Sequence, residues 1–313
     1  MLTSLNFETD REFDVVGFGT NAVDFLISVP EYPEFSTKIE LSSYVQAAGG
    51  EVATTMVGLQ RLGLKTTYIG RFGNDDAGRI GSNSLSSEGV DISWSEVVDG
   101  ARTQIAFIII DDVSGERTVI WKRDAGLSFS TENAPLTVVR TAKILHITPH
   151  DVEACIAMAT EAKAAGTVVS IDIDNVFEGV DRLLPLVDIL IASSDLPARL
   201  TGKQDHRESL VELSKAYNCS IVGVTLGDAG SLLYADGEFV RSEGFAVPGG
   251  CKDTTGAGDS FRVGLLYGLL TGCSIAESAR LANAVAALKC RAVGARTALP
   301  TKDELSSFIN AEL

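Results

Sequence analysis

From residue 142 onward, apolar strands and amphipathic helices alternate: AKILHIT, then VEACIAMATEAKAAG, then TVVSIDI. DILIA (188–192), HRESLVELSKAY (206–217) and SIVGVTL (220–226) continue the pattern. Strands that are apolar on both faces need cover on both sides, and the intervening helices supply it. The pattern therefore predicts an α/β fold with a doubly wound, mostly parallel sheet flanked by helices. The first half adds a strand at FDVVGF (13–18), a helix over 49–63 closed by Gly63, a strand over 66–73 and a helix over 77–89. SLLYADGEFV (231–240) reads as a hairpin turning on Asp236-Gly237, and helices over 257–271 and 275–289 occupy the last third.

Two pieces break the alternation. KIELSSYVQA (38–47) alternates like a strand, and RTQIAFIII (102–110) and ERTVIWK (116–122) form a hairpin about DDVSG. These strands, at 36–47 and 102–123, are expected to make a small β-sheet lid inserted in one domain spanning 1–313. A small exposed sheet tends to be protected by a partner, so the lid is also the expected contact of a homodimer.

A formal net charge of −16 repels polyanions and argues against nucleic-acid or anionic-membrane partners. No run of about 18 apolar residues occurs, so no membrane span is expected. The start MLTSLNFETDREFD is polar and acidic, unlike a signal peptide. The cysteines, Cys155, Cys219, Cys251, Cys273 and Cys290, are odd in number and contain no CxxC pair. Reduced thiols in a cytoplasmic protein are the expectation. The histidines, His146, His150 and His206, are too scattered for a metal cluster, and His146 and His150 are read as structural.

The chemistry concentrates in DTTGAGDSF (253–261), where Gly256, Ala257 and Gly258 separate Asp253 from Asp259 just before an apolar helix. The first turn of a helix carries unpaired N–H groups and the positive end of the dipole. Small residues leave those groups open, so the stretch reads as an anion hole for a transferring phosphoryl group. Asp259, within the same turn, is placed to accept the proton of an attacking hydroxyl. The helix dipole is expected to keep it ionised. The bland alternative is a glycine-rich helix start whose Asp complements the dipole. A second hint, GFGTNA (17–22) with Glu40 further on, matches a dinucleotide fingerprint, but Pro30 and Pro33 interrupt the crossover helix it requires.

The string DTTGAGD resembles the C-terminal signature of the ribokinase, or phosphofructokinase-B, family of carbohydrate kinases. Other pieces follow that family's order: GTNAVD with Asp24, Gly49-Gly50 before a helix ending in Arg-Leu-Gly, GRFGNDDAG (70–78), TLGDAG (225–230) and AALKC…VGART (286–297). The resemblance implies an α/β core with a β lid and ATP-dependent phosphorylation of a hydroxyl on a small sugar or sugar-like substrate. Asp259 would be the base and Gly256, Ala257 and Gly258 the anion hole. Asp24, Gly49, Gly50, Thr54 and Arg123 would contact the sugar, although Lys122 and Arg123 also read as an ordinary solvated strand end. Thr225, Gly227, Gly230 and Asn283 would serve the nucleotide. The implied cofactors are ATP and Mg²⁺, with K⁺ beside Asp253 and Thr255; no residue is assigned to Mg²⁺.

Departures exist. Thr54 stands where the family's first signature carries Asn, and Ser193 and Leu196 occupy its N-x-x-E places, with Asp195 the nearest carboxylate. This block and ALKC resemble the ketohexose and modified-ketohexose kinase branch. The same departures leave a non-catalytic sugar or nucleotide sensor as an alternative, and the fingerprint leaves a dinucleotide-dependent oxidoreductase as a remoter one.

Overall fold

The computed structural model describes residues 5–113 and 117–311. The first four residues of the polar N-terminus, and Ser114 to Glu116 of the 102–122 hairpin, lie outside the described residues. In chain order the elements begin with β1 (Phe13–Phe18), β2 (Ala22–Val29), β3 (Ser43–Gly49), α1 (Glu51–Arg61), β4 (Thr66–Ile69), β5 (Arg71–Gly73) and α2 (Asp76–Ser86). Next come β6 (Glu96–Val98), β7 (Ile105–Asp111), β8 (Arg117–Lys122), β9 (Ala142–Ile147), α3 (Val152–Ala165), β10 (Val168–Ile173), α4 (Val180–Leu183) and β11 (Ile189–Ala192). The chain continues through α5 (Leu196–Thr201), α6 (His206–Tyr217), β12 (Ile221–Thr225), β13 (Ser231–Ala235) and β14 (Glu238–Ser242). It ends with α7 (Ala257–Leu270), α8 (Ile275–Lys289) and α9 (Lys302–Ala311).

Eight strands form the main sheet in the order β14-β13-β12-β11-β10-β9-β1-β4. All pairs from β4 to β12 are parallel, and at the edge β13 pairs antiparallel with both β12 and β14. Every residue of β10 and β11 is buried, as strands covered on both faces must be. Alternate side chains divide the core. Leu145, Ile147, Val169, Ile171 and Leu190 pack with Met158 of α3 and Leu210 and Leu213 of α6. Val15, Ile144, Ile189 and Ile191 pack with α1, α7 and α8 on the other face. The expected doubly wound α/β architecture is thus observed.

A second sheet, in the order β3-β2-β7-β8, stands beside the first, and β5 and β6 form a small parallel pair. In the second sheet, Leu26, Ala106, Ile108 and Ile110 cluster on one face with Ala47 and Val293. On the other face Phe25 stacks with Phe107 at 5.0 Å and Tyr44 at 6.2 Å.

Several local expectations shift. The sequence reading contained no strand at 22–29, yet β2 is central to the second sheet; Pro30 and Pro33 follow this strand and mark its end. β3 starts at Ser43, later than the expected strand. The single strand expected over 66–73 divides at Gly70, whose Cα lies so close to Tyr68 that a Cβ would fall 2.0 Å from the Tyr68 hydroxyl. The terminal α9 was not read from sequence. The hairpin at Asp236-Gly237 does turn through two positive φ angles, 52° and 83°, as a type I′ turn requires.

The α7–α8 contact sets how closely the helix bearing the glycine-rich turn approaches its neighbour. A Cβ on Gly264 would lie 2.5 Å from the Ala282 Cα, a backbone atom that cannot swing aside. Helix propensity favours Gly264→Ala by up to about 1 kcal/mol, whereas overpacking costs about 1–3 kcal/mol. The expected result is therefore a lower melting temperature for Gly264→Ala, read by calorimetry; a rise would show that the two helices separate freely.

Candidate active site

The helix α7 begins at Gly256, whose φ of 79° is left-handed and whose Cβ, were one present, would meet Ala295 at 2.9 Å. Ala257 N–H donates to Thr254 O at 3.1 Å, which tightens the turn. The amides of Gly258 and Asp259 have no helical carbonyl one turn back. Gly258 is flanked by Arg262: a Cβ there would sit 2.9 Å from Nη1.

Arg262 is a buried arginine on the face of α7 that meets the strand ends. Its guanidinium pairs with Asp172 at 2.5 Å and donates to Ile191 O at 2.9 Å. Asp172 and Ile191 lie near the carboxyl ends of the adjacent strands β10 and β11, and Thr225 ends β12, the next strand along. The site thus lies at the carboxyl edge of the parallel sheet, the usual position for ligands in this architecture.

Asp259 is half-buried, and its surroundings act on the carboxyl against the helix dipole. Desolvation by the surrounding protein, then the charge of Asp172, push it up to about 8; Arg262 opposes them. Desolvation likewise raises Asp172 to about 6, and it raises Glu51, beside Asp172, Asp259 and Asp174, well above the usual carboxylate range. Three acids crowd one low-dielectric cleft, and one helix N-terminus and one arginine do not offset their mutual repulsion.

On the other side of Asp259 lies Asp24, buried on β2 and pushed by desolvation up to about 6, with Arg296 pulling it down. Gly49 comes so close that a Cβ would fall 2.0 Å from an Asp24 carboxylate oxygen. Gly50 has φ of 91° and abuts the Asn21 backbone, so both glycines are required by close approach. Arg296 is buried; it donates to Thr54 Oγ1 at 3.3 Å, to Ser84 Oγ at 3.0 Å and to Gly49 O. Asp24, Gly49, Gly50, Thr54 and Arg296 therefore form one group beside the start of α7.

Asp253 is held from three directions. Its carboxylate accepts from Thr255 N–H and Gly294 N–H, each at 2.8 Å, and lies 3.6 Å from Lys289 Nζ. Lys289 Nζ also donates to Asp253 O at 2.7 Å. Burial pulls Lys289 below the usual lysine range, and Asp253 opposes that pull.

In the turn after β12, Gly227 and Gly230 have φ of 62° and 88°. A Cβ on Gly230 would strike Ser242 O at 2.1 Å. Asn283, on α8, gives its side-chain amide to Ser231 Oγ, Ser242 O and Ser242 Oγ at 3.0–3.1 Å and so pins the β13–β14 hairpin. Arg123 forms a fork with Asp151 at 2.8 and 2.7 Å and also donates to Ser128 Oγ and Leu127 O. Ser193 bonds Asp195, which pairs with Arg199 at the surface, and Leu196 is buried. His146 is buried against Ser170 and pushed by burial down to about 3, a neutral core residue as expected. The GFGTNA turn leads directly into β2 and not into a helix, which overturns the dinucleotide fingerprint.

Sequence reasoning missed Arg296, Lys289, Arg262 and Asp172. Asp172 stands at the end of an apolar strand and Lys289 among Leu288 and Cys290 on a helix, so both carried a signal: a charge inside an apolar run. Arg262 and Arg296 acquire their meaning only from partners distant in sequence.

A glycine-opened helix, flanking carboxylates and a strand-edge cleft define a phosphotransferase of the α/β class. Residues 13–302 match the model of the pfkB family of carbohydrate kinases, and the chain belongs to that family. A fructokinase from Escherichia coli is 32% identical over 283 residues, covering 83% of this chain and 91% of the relative. An ATP-dependent ribose-1-phosphate kinase from Halopiger xanaduensis is 28% identical, covering 92% and 95%. In fold, the chain is similar to Arabidopsis thaliana ribokinase solved with ribose and ATP, with a TM-score of 0.81 at 24% identity over 95% of this chain and 98% of that one. The protein is a kinase with a ribokinase-like fold, and its relatives are sugar and nucleoside kinases.

The raised acids have a thermodynamic consequence. A carboxyl whose folded pKa exceeds its unfolded value binds more protons in the native state, so stability declines as pH rises through the interval between the two values. For Asp24, Asp172 and Asp259 that interval runs from the ordinary value near 3.8 up to about 6 and about 8. The melting temperature of the ligand-free protein should fall between pH 5 and pH 8 (about two of these ionisations). Asp259→Asn, which cannot ionise, should melt higher than wild type at pH 8; an unchanged or lower value there would refute the crowded-carboxylate description.

Proposed function

We propose that the protein phosphorylates a hydroxyl of a small sugar or sugar-like substrate, taking the phosphoryl group from ATP with Mg²⁺. The observation that carries this reading is the position of the Asp259 carboxyl, in the first turn of a glycine-opened helix and next to the buried Asp24. Asp24, Gly49, Gly50 and Thr54 hold the sugar, with Arg296 fixing Thr54 and Gly49. The turn at 256–258 cradles the transferring group, and Asp259 accepts the hydroxyl proton. Phosphoryl transfer has a loose transition state, so the proton leaves late and positioning dominates. Asp259 accepts a proton only when ionised; its raised pKa is that of the ligand-free site, and cationic charge arriving with ATP would favour the ionised form.

Thr225, Gly227 and Gly230 receive the nucleotide, and Asn283 steadies the hairpin behind them. Among the described residues no three acidic, histidine or cysteine groups converge to ligate an ion directly. The crowding of Glu51, Asp172 and Asp259 nevertheless suits a hydrated divalent cation, whose charge would favour their ionised forms and which would be held through water as Mg²⁺ prefers. Mg²⁺ carried by ATP would offset phosphate charge at this edge. Five cysteines without a disulfide support a reducing, cytoplasmic setting.

Incubation with Mg·ATP and a panel of ketohexoses, pentoses, sugar acids and nucleosides tests the reading. Sugar-dependent ADP should form with at least one member. Asp259→Asn should lose about 10²–10⁴ in rate and retain ATP binding. Binding of a sugar with no ADP formed would establish a sensor instead.

The second sheet is read as the lid over the sugar. Asp24 projects from its β2, and the Arg123–Asp151 fork ties its base to the core. Its outer face presents Phe107, Tyr44 and Ile120, exposed by 41%, 52% and 54%, more apolar surface than a lone sheet ordinarily leaves to water. That face is the dimer contact. Light scattering should give a dimer, and Phe107→Lys a monomer with an unchanged melting profile; a wild-type monomer at every concentration would remove the proposal.

A further inference from the structure

The family resemblance implies K⁺ beside Asp253 and Thr255, and the donor set there does not fit one. A monovalent cation needs several oxygens free to turn lone pairs toward it. Both carboxylate oxygens of Asp253 already accept backbone N–H groups, from Thr255 and Gly294. Asp253 O accepts from Lys289 Nζ at 2.7 Å, and the same nitrogen lies 3.6 Å from the carboxylate. Thr255 contributes its Oγ1, buried and without a partner, and its carbonyl, so every Asp253 oxygen is engaged and only Thr255 has oxygens to offer. A second positive charge stands near, because Arg117 of β8 donates to Thr254 Oγ1. A metal ion would have to sit against an ammonium and beside a guanidinium, sharing oxygens already engaged.

Lys289 itself has the properties such an ion would supply. It is fully buried at the end of α8, which a lysine tolerates only when paired and hydrogen-bonded. It reaches the carbonyl and carboxylate of the residue that opens the glycine-rich turn. Lys252 N–H donates to Cys290 O at 2.8 Å, so the chain on either side of the contact is also tied to the end of α8. The ammonium therefore fixes the 253–256 turn and adds positive charge behind the amides of Gly258 and Asp259.

We propose that Lys289 is this enzyme's built-in cation, a positioning residue that replaces the monovalent metal, so that catalysis runs without potassium. The proposal rests on the kinase reading for its activity measurements only. Three proteins are compared in K⁺, ammonium, Na⁺ and tetramethylammonium salts at equal ionic strength: wild type, Lys289→Ala and Lys289→Met. Turnover is followed with Mg·ATP and the sugar found in the panel. Wild-type turnover should change by less than about twofold among the salts, within ordinary screening effects. Lys289→Ala should lose about 10²-fold or more in kcat without K⁺, the scale of losing one preorganised electrostatic contact, and regain at least about tenfold on addition of K⁺ or ammonium. Lys289→Met, which fills the space, should lose the same activity and not regain it.

Melting curves of the sugar-free proteins give an arm that needs no activity. Lys289→Ala should be stabilised saturably by K⁺ over Na⁺, and wild type should not. A saturable K⁺-specific shift or a K⁺ activation above about tenfold in wild type would overturn the proposal, since a site so occupied has no room for the ion. A folded Lys289→Ala that neither K⁺ nor ammonium restores or stabilises would overturn it as well, by making the lysine structural only. If Lys289→Ala does not fold, the wild-type arms decide. If no sugar is phosphorylated, the melting curves still decide, so failure of the kinase reading remains distinguishable.

Discussion

The attachment of Asp253 to the chain after α8 is the constraint on which the site depends. One carboxylate gathers two backbone amides and one ammonium, from Thr255, Gly294 and Lys289. That arrangement fixes where Gly256 turns left-handed, and hence where α7 begins and where its first amides point. Because α7 and α8 meet closely, Gly264 against the Ala282 backbone and Gly268 against Ser278, the turn is held to a tightly packed helix pair.

Against that helix pair the protein sets an excess of negative charge. Asp24, Glu51, Asp172 and Asp259 share a cleft in which desolvation and mutual repulsion raise each carboxyl. Two buried arginines keep the arrangement from collapsing, Arg262 on the side of Asp172 and Arg296 on the side of Asp24. Neither is free to neutralise Asp259 fully, because each has carbonyl or hydroxyl partners that orient it elsewhere. In the ligand-free protein these carboxyls repel one another, and bound cationic charge would relieve the repulsion.

The second sheet connects this electrostatics to substrate access. Asp24 belongs to that sheet and Arg117, on its β8, reaches Thr254 beside the glycine-rich turn. A movement of the sheet would therefore displace the Asp24 carboxylate and the Arg117 contact to the turn together.

Sequence alone determined the class of fold and marked the glycine-rich turn as the candidate site. Strands apolar on both faces can only be buried between helices, and three small residues before a helix leave its amides open whatever surrounds them; both are local facts. The Asp236-Gly237 hairpin was legible for the same reason. The position of β2 was not, because the prolines after it read as disruption until its neighbours β3 and β7 were in place. Nor was the ionisation of Asp259, which the dipole of its own helix would have kept low. Burial and Asp172, on a strand 87 residues earlier in the chain (259 less 172), decided it. The pairing of Lys289 with Asp253 and of Arg296 with Thr54 likewise came from tertiary structure alone. Desolvation and Coulomb interaction depend on distance through space, and the sequence records only distance along the chain.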